Sequence, residues 1–240
     1  LSPAGGVPFA GRQSELAQLH GDLRAALAGQ GRAAFVRGEA GSGKTALLDA
    51  FACQAVREHG DLLVLRGTCS AYGGLGDPFQ PFQEMLESLA GIESGGQTGK
   101  AIAQENARGL EAARPFLLQA LVEHAPGLLG SLLPTTHLLQ QARATPGVDP
   151  DLLARLEALV SHPKPGSDAA VRLDFGMTAQ AAQPPYWMQN SLNTQAARLL
   201  QAISRRFPLL ILLDNLQWLD SASASLLFHL GGHLAGGRIL

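Results

Sequence analysis

Residues 38–45 read Gly-Glu-Ala-Gly-Ser-Gly-Lys-Thr, with three glycines in six positions and a lysine and a threonine directly behind them. Glycine reaches backbone angles that side chains forbid, so successive N–H groups can turn inward around an anion. The spacing Gly38-x4-Gly43-Lys44-Thr45 is that of a phosphate-binding loop. In this reading the backbone of Gly38, Glu39, Ala40, Gly41, Ser42, Gly43, Lys44, Thr45 and Ala46 cradles a phosphate tail. Lys44 reaches the β- and γ-phosphate oxygens, and the Thr45 hydroxyl binds Mg2+. An apolar run at 33–37, AAFVR, reads as a strand leading into the loop. A helical pattern from Ala46 to about His59 follows it. The N-terminus of that helix, the positive end of its dipole, points at the same spot.

Two other readings compete. One is a chance glycine turn before a helix. The other is a dinucleotide fingerprint, since Gly41-x-Gly43-x-x-Ala46 also fits that pattern. The fingerprint wants an acid near the end of the second strand, where residues 65–67 are Leu, Arg and Gly. Arg66 could serve a ribose phosphate, but Lys44 and Thr45 are unexplained by that reading. They are what a triphosphate with Mg2+ needs.

The rest of the chain supplies an α/β order. Leu16, Leu19, Leu23 and Leu27 form one stripe of a helix over 14–28, with Ser14 as its N-cap. Residues 62–66, LLVLR, read as a second buried strand. From 78 to 160 the spacing turns helical, with Pro115 starting or interrupting one segment. The prolines at 163, 165, 184 and 185 predict a long loop over 161–190. Helical spacing returns over 191–206, and another helix is expected at about 221–232. The fold class that follows is α/β with a mainly parallel sheet. The expected domain is a core over 9–240 with a mainly helical insertion at 78–190.

Between these last helices lies PLLILLD at 208–214, five apolar residues closed by an acid. A buried parallel strand reads as a continuous apolar run. An acid at its C-terminal edge lies where α/β sheets bind ligands. Asp214 is therefore expected beside Thr45 as the second Mg2+ ligand, the bland alternative being a simple turn cap. Many ATP-hydrolysing proteins with this loop place a glutamate next, to position the attacking water. Here the residue is Asn215, whose amide can orient water but cannot accept its proton. Asp220 and Glu39 are weaker substitutes. Lys44 and Asn215 stand as the candidate catalytic residues.

Composition narrows the function classes. Of 240 residues, 46% are apolar and 16% charged, with a formal net charge of −2. Aromatics are 5%, and no dense Lys/Arg run occurs, so nothing points to a nucleic-acid face. Two cysteines without metal-ligand spacing suit a reducing compartment. With neither a leader nor a membrane-spanning run, the expectation is a cytoplasmic protein with no membrane partner. The start at Leu1 and the end at Arg238-Ile239-Leu240 read as a piece of a longer chain. Asn-Lys-x-Asp and the kinase His-Arg-Asp are both missing, against GTPases and protein kinases. A small-molecule kinase stays open. His229 and His233, four apart, lack a third ligand and read as solvated or capping. Arg205 and Arg206 read as surface charge, and Trp218, Phe79 and Phe82 as core.

Four stretches together resemble the AAA-like ATPase modules of signalling proteins, the STAND ATPases of large LuxR-type regulators and multidomain adenylate cyclases. They are Phe9-Ala10-Gly11-Arg12 with Glu15, Leu16 and Leu19, then 36–48, 76–86 and 205–220. The resemblance implies a three-layer αβα P-loop NTPase fold of RecA/AAA type, truncated at its C-terminus. It implies ATP and Mg2+ as cofactors, with Gly11 and Arg12 near the adenine; the alternative for that segment is a turn before an amphipathic helix. It also implies effector domains outside this chain and nucleotide-dependent oligomerisation. Family members often carry a second acid where Asn215 stands, so the expected activity is an ATP switch with weak or conditional hydrolysis. A nucleotide-bound scaffold that never turns over is the alternative.

Overall fold

The structure, a computed structural model, describes residues 11–70, 78–92, 100–161 and 186–240. Helix α1 (Gln13–Leu27) packs against helix α2 (Lys44–Glu58), and strand β1 (Leu63–Thr68) follows. Helices α3 (Gln80–Ala90), α4 (Lys100–His124), α5 (Thr135–Ala144), α6 (Pro150–Ser161) and α7 (Tyr186–Arg206) separate β1 from strand β2 (Leu209–Asp214). Helix α8 (Ser221–Gly231) comes last.

The two strands pair in parallel, from Leu63 opposite Leu209 to Thr68 opposite Asp214. Their side chains alternate between two separate cores, as a period of two requires. Val64, Leu210 and Leu212 join Leu19, Leu23, Leu47 and Phe51 under α1 and α2. Leu63, Leu65 and Leu209 join Phe82, Leu118, Leu200 and Leu226 under the other helices. A strand buried on both faces must be apolar throughout, which accounts for the unbroken LLILL run.

Each sheet edge is dressed differently. On the outer edge of β1, Asn106 from α4 imitates a neighbouring strand. Its amide donates to Val64 O at 2.6 Å, and its Oδ1 accepts from Val64 N at 3.0 Å. Glu84 Oε2 takes the Thr68 N–H at 2.9 Å. Beyond β2, Leu209 N donates to Arg238 O at 2.8 Å and Ile211 N to Leu240 O at 2.7 Å. Ile239 forms a parallel bridge with Leu209, and its carbonyl accepts from Arg32 N at 3.0 Å.

Several sequence expectations change here. Residues 33–37 are not a strand. A strand needs a hydrogen-bonded neighbour, and among the described residues only the preceding Arg32 reaches one. A cavity of about 650 Å3, lined by Phe35, Val36, Leu212 and Phe228 among others, separates this run from β2. Phe35 is 72% exposed. The N-cap of α1 is Arg12, at φ 57, and no side chain caps that end. Ser14 lies inside the helix and donates to the Glu15 carboxylate at 2.6 Å. Pro115 sits within α4 rather than at its start. Of the predicted 161–190 loop, 186–190 belong to α7 and Ser161 ends α6; 162–185 lie outside the described residues. Among the described residues no helix is long and apolar enough to cross a membrane.

Asn106 is only 6% exposed, so its removal strands a buried N–H and a buried C=O. Asn106→Leu is expected to destabilise the fold by roughly 2–4 kcal/mol. A urea midpoint unchanged from the parent chain would show that Asn106 does not seal this edge.

Candidate functional site

The glycine loop turns on two left-handed residues, Gly41 at φ 74 and Gly43 at φ 83, and Gly43 starts α2. A Cβ at Gly38 would come 2.8 Å from Ser42 Oγ, so a side chain there would push that hydroxyl aside. That hydroxyl is buried with no hydrogen-bond partner among the described residues. The Lys44 ammonium folds back over the loop and donates to Gly38 O at 3.0 Å and Glu39 O at 2.9 Å. It thereby spans the loop mouth on carbonyls that compete weakly with a charged phosphate. Ala40 and Ala46 are exposed beside it.

The distant acid arrives at the same place. The Thr45 hydroxyl donates to Asp214 Oδ2 at 2.8 Å, linking the first turn of α2 to the C-terminal end of β2. Asp214 Oδ1 accepts the Asn215 N–H at 2.8 Å, so the cap role and the contact with Thr45 coexist on one carboxylate. Asn215 takes φ 60, a left-handed angle that asparagine tolerates better than most residues, and is exposed. The Arg12 guanidinium donates to Ser42 O, which ties the start of α1 to the glycine loop. Gly11 is exposed at φ 90 next to it; Phe9 and Ala10 lie outside the described residues.

Residues 8–240 match the family model for the AAA ATPase domain. The chain belongs to that family. No curated protein and no solved structure matches it. Membership brings the P-loop NTPase fold, here as helices around a small parallel sheet, and a nucleotide-binding ATPase as the general function. AAA ATPase domains in general bind ATP with Mg2+. The donor set of this AAA domain fits that cation: a hydroxyl and a carboxylate, both hard oxygen ligands, lie side by side.

Other candidates fall elsewhere. Asp220 is engaged as the N-cap of α8, accepting from Ser223 N at 2.8 Å. Glu39 is exposed, and its carbonyl rather than its carboxylate meets Lys44. Trp218, expected in the core, is 53% exposed, because Leu216–Trp218 forms a short 3-10 turn on the surface. Phe79 and Phe82 are buried. The His229 and His233 rings lie 4.6 Å apart, tilted by 31°, and His233 Nδ1 pairs with His229 O at 2.7 Å. Burial, followed by the neighbouring His233, lowers the pKa of His229. Among the described residues no three His, Cys, Asp or Glu side chains gather as a metal site.

Sequence reasoning missed Asp49 and weighed Arg66 only for a ribose phosphate, not for an ion pair. Arg66 forms ion pairs with Asp49 and, at 3.4 Å, with Asp214 Oδ2. The signal was present as one charge inside the apolar strand LLVLR. A charge in such a run needs a buried partner.

Cys69 lies just past β1, with its N–H on Asp214 O at 3.0 Å. Burial pushes its thiol up to about 11 from an ordinary value near 9, and the carboxylates of Asp220, Glu84 and Asp214 add to the shift. The folded state therefore keeps the proton longer than the unfolded state. The resulting stability is full below pH 9 and is lost as pH climbs towards about 11. Over that window the urea midpoint of the parent chain is expected to fall more steeply than that of Cys69→Ala. Equal slopes would refute the assignment.

Proposed function

We propose that this AAA ATPase domain is an ATP-binding switch module of a larger signalling or transcription-regulatory protein, of the STAND type. The observation that carries the reading is the 2.8 Å contact between Thr45 and Asp214 at the mouth of the glycine loop. In this reading the backbone of 38–46 wraps the phosphates, and Lys44 exchanges its two carbonyl partners for phosphate oxygens. Thr45 and Asp214 would hold Mg2+, which when bound would neutralise phosphate charge. Gly11 and Arg12 lie on the base side. The core is 9–240, and 78–190 is a helical insertion. Nucleotide state would bias the arrangement of neighbouring domains, or the assembly of copies, and an effector would read it.

Hydrolysis in this reading is weak or conditional, because Asn215 stands where a proton-accepting acid would be useful. Its exposed position and φ of 60 favour a turn role as much as a catalytic one. The same observation favours the second reading, a nucleotide-bound scaffold without turnover.

The test is Mg-ATP binding and phosphate release by the parent chain, Lys44→Ala and Asn215→Glu. Lys44→Ala removes charge-assisted contacts and is expected to weaken binding by about 10- to 100-fold. The parent should bind ATP and release phosphate slowly, with Asn215→Glu faster. Failure of the parent chain to bind ATP would overturn the switch reading. Brisk release that Asn215→Glu leaves unchanged would overturn the assignment of weak hydrolysis. Complete absence of release in the parent chain would select the scaffold.

A further inference from the structure

Arg66 sits on β1, opposite Leu212 and two residues short of the pair formed by Thr68 and Asp214. Its side chain is 11% exposed, and that of Asp214 is 12% exposed. One arm of the guanidinium reaches Asp49 Oδ1 on α2. The other lies 3.4 Å from Asp214 Oδ2, the oxygen that also accepts the Thr45 hydroxyl. Asp214 is already oriented by two neutral donors, the Asn215 N–H on one oxygen and the Thr45 hydroxyl on the other. Orientation therefore does not require Arg66. What Arg66 adds is a positive charge, close and shielded from water, where Coulomb interactions are weakly screened.

We propose that Arg66 is a built-in counter-ion that competes with the divalent cation for Asp214 and so sets the Mg2+ concentration at which nucleotide loads. The inference rests on the nucleotide reading above. A dication approaching Asp214 Oδ2 meets an oxygen whose charge is partly neutralised, and it is repelled by the guanidinium itself. Loading requires the arm of Arg66 facing Asp214 to withdraw. Asp49 makes withdrawal feasible, because it keeps a carboxylate on the guanidinium after Asp214 is given up. Asp49 is 37% exposed and lies five residues beyond Lys44, so the exchange couples the cation site to the helix carrying the phosphate-binding lysine. Arg66 is thus a positioning residue that acts through Asp214, with no contact to nucleotide required.

The experiment measures binding of a fluorescent ADP in EDTA and then across a Mg2+ titration, for the intact chain and three variants. Arg66→Gln is expected to lower the Mg2+ midpoint by about tenfold while leaving affinity in EDTA nearly unchanged. Arg66→Lys keeps the charge and should stay near the parent midpoint, which a purely structural role would not predict. Asp49→Asn removes the alternative partner, tightens Arg66 on Asp214 and should raise the midpoint. Because Asp49 is partly exposed, that variant decides the question even if Arg66→Gln fails to fold. A midpoint that is unchanged or raised in Arg66→Gln, or lowered in Asp49→Asn, overturns the counter-ion role while nucleotide binding in EDTA stands. No ADP binding by the parent in either buffer overturns the nucleotide reading and the counter-ion role together.

Discussion

A hydroxyl and a carboxylate 169 residues apart in sequence meet at 2.8 Å, and the geometry of the site depends on that meeting. It requires the first turn of α2 and the last residue of β2 to lie at the same end of the sheet. Helix α2 leads back through a short connection to the start of β1, so its first turn lies at the far end of the sheet, where β1 and the parallel β2 both finish. The pairing is sustained by burial on both faces. Leu210 and Leu212 face α1 and α2, Leu209 faces the opposite helices, and a slip of one residue would exchange the two sets. Register and site geometry are therefore consequences of the same alternation.

The second organising feature is how charge is distributed around that meeting point. Lys44 rests on two carbonyls, Arg12 on a third, and Arg66 divides itself between two carboxylates. Each of these cations is satisfied by the protein alone, so nucleotide and metal would arrive by exchange rather than by filling a bare electrostatic field. Exchange of partners costs less than desolvating an unpaired charge. It also makes loading sensitive to residues such as Asp49 that touch neither phosphate nor metal. The buried Cys69, whose amide binds the Asp214 carbonyl, lies against the same acidic surroundings and remains a protonated thiol at neutral pH.

Much of this was legible from local pattern. The glycine loop could be read because Gly41 and Gly43 occupy left-handed angles that few other residues adopt. Strand β2 could be read because burial on both faces leaves an unbroken apolar run. The helical spacing over 14–28, 46–59 and 191–206 marked α1, α2 and α7 in advance, whereas α5 (Thr135–Ala144) was not singled out within the helical stretch. What misled was equally physical. Residues 33–37 have the composition of a strand, yet a strand is a property of a pair, and no ladder partner lies across the cavity beside them. Ser14 has the chemistry of an N-cap, but Gly11 and Arg12, with two positive φ angles, start the helix two residues earlier. Trp218 looked apolar enough for the core, and a surface 3-10 turn holds it outside.

By itself, then, the sequence determined the loop, the acid-ended strand, the helical periods and the missing acid at Asn215, because each is written in neighbouring residues and their backbone preferences. Only the tertiary structure decided which distant groups share an atom. Asp214 serves Thr45, Asn215 and Arg66 together, Asn106 closes the edge of β1, and Asp49 completes the charge balance. Such pairings arise from how two cores clamp a sheet between helices, and no spacing along the chain encodes the distance between side chains brought together that way.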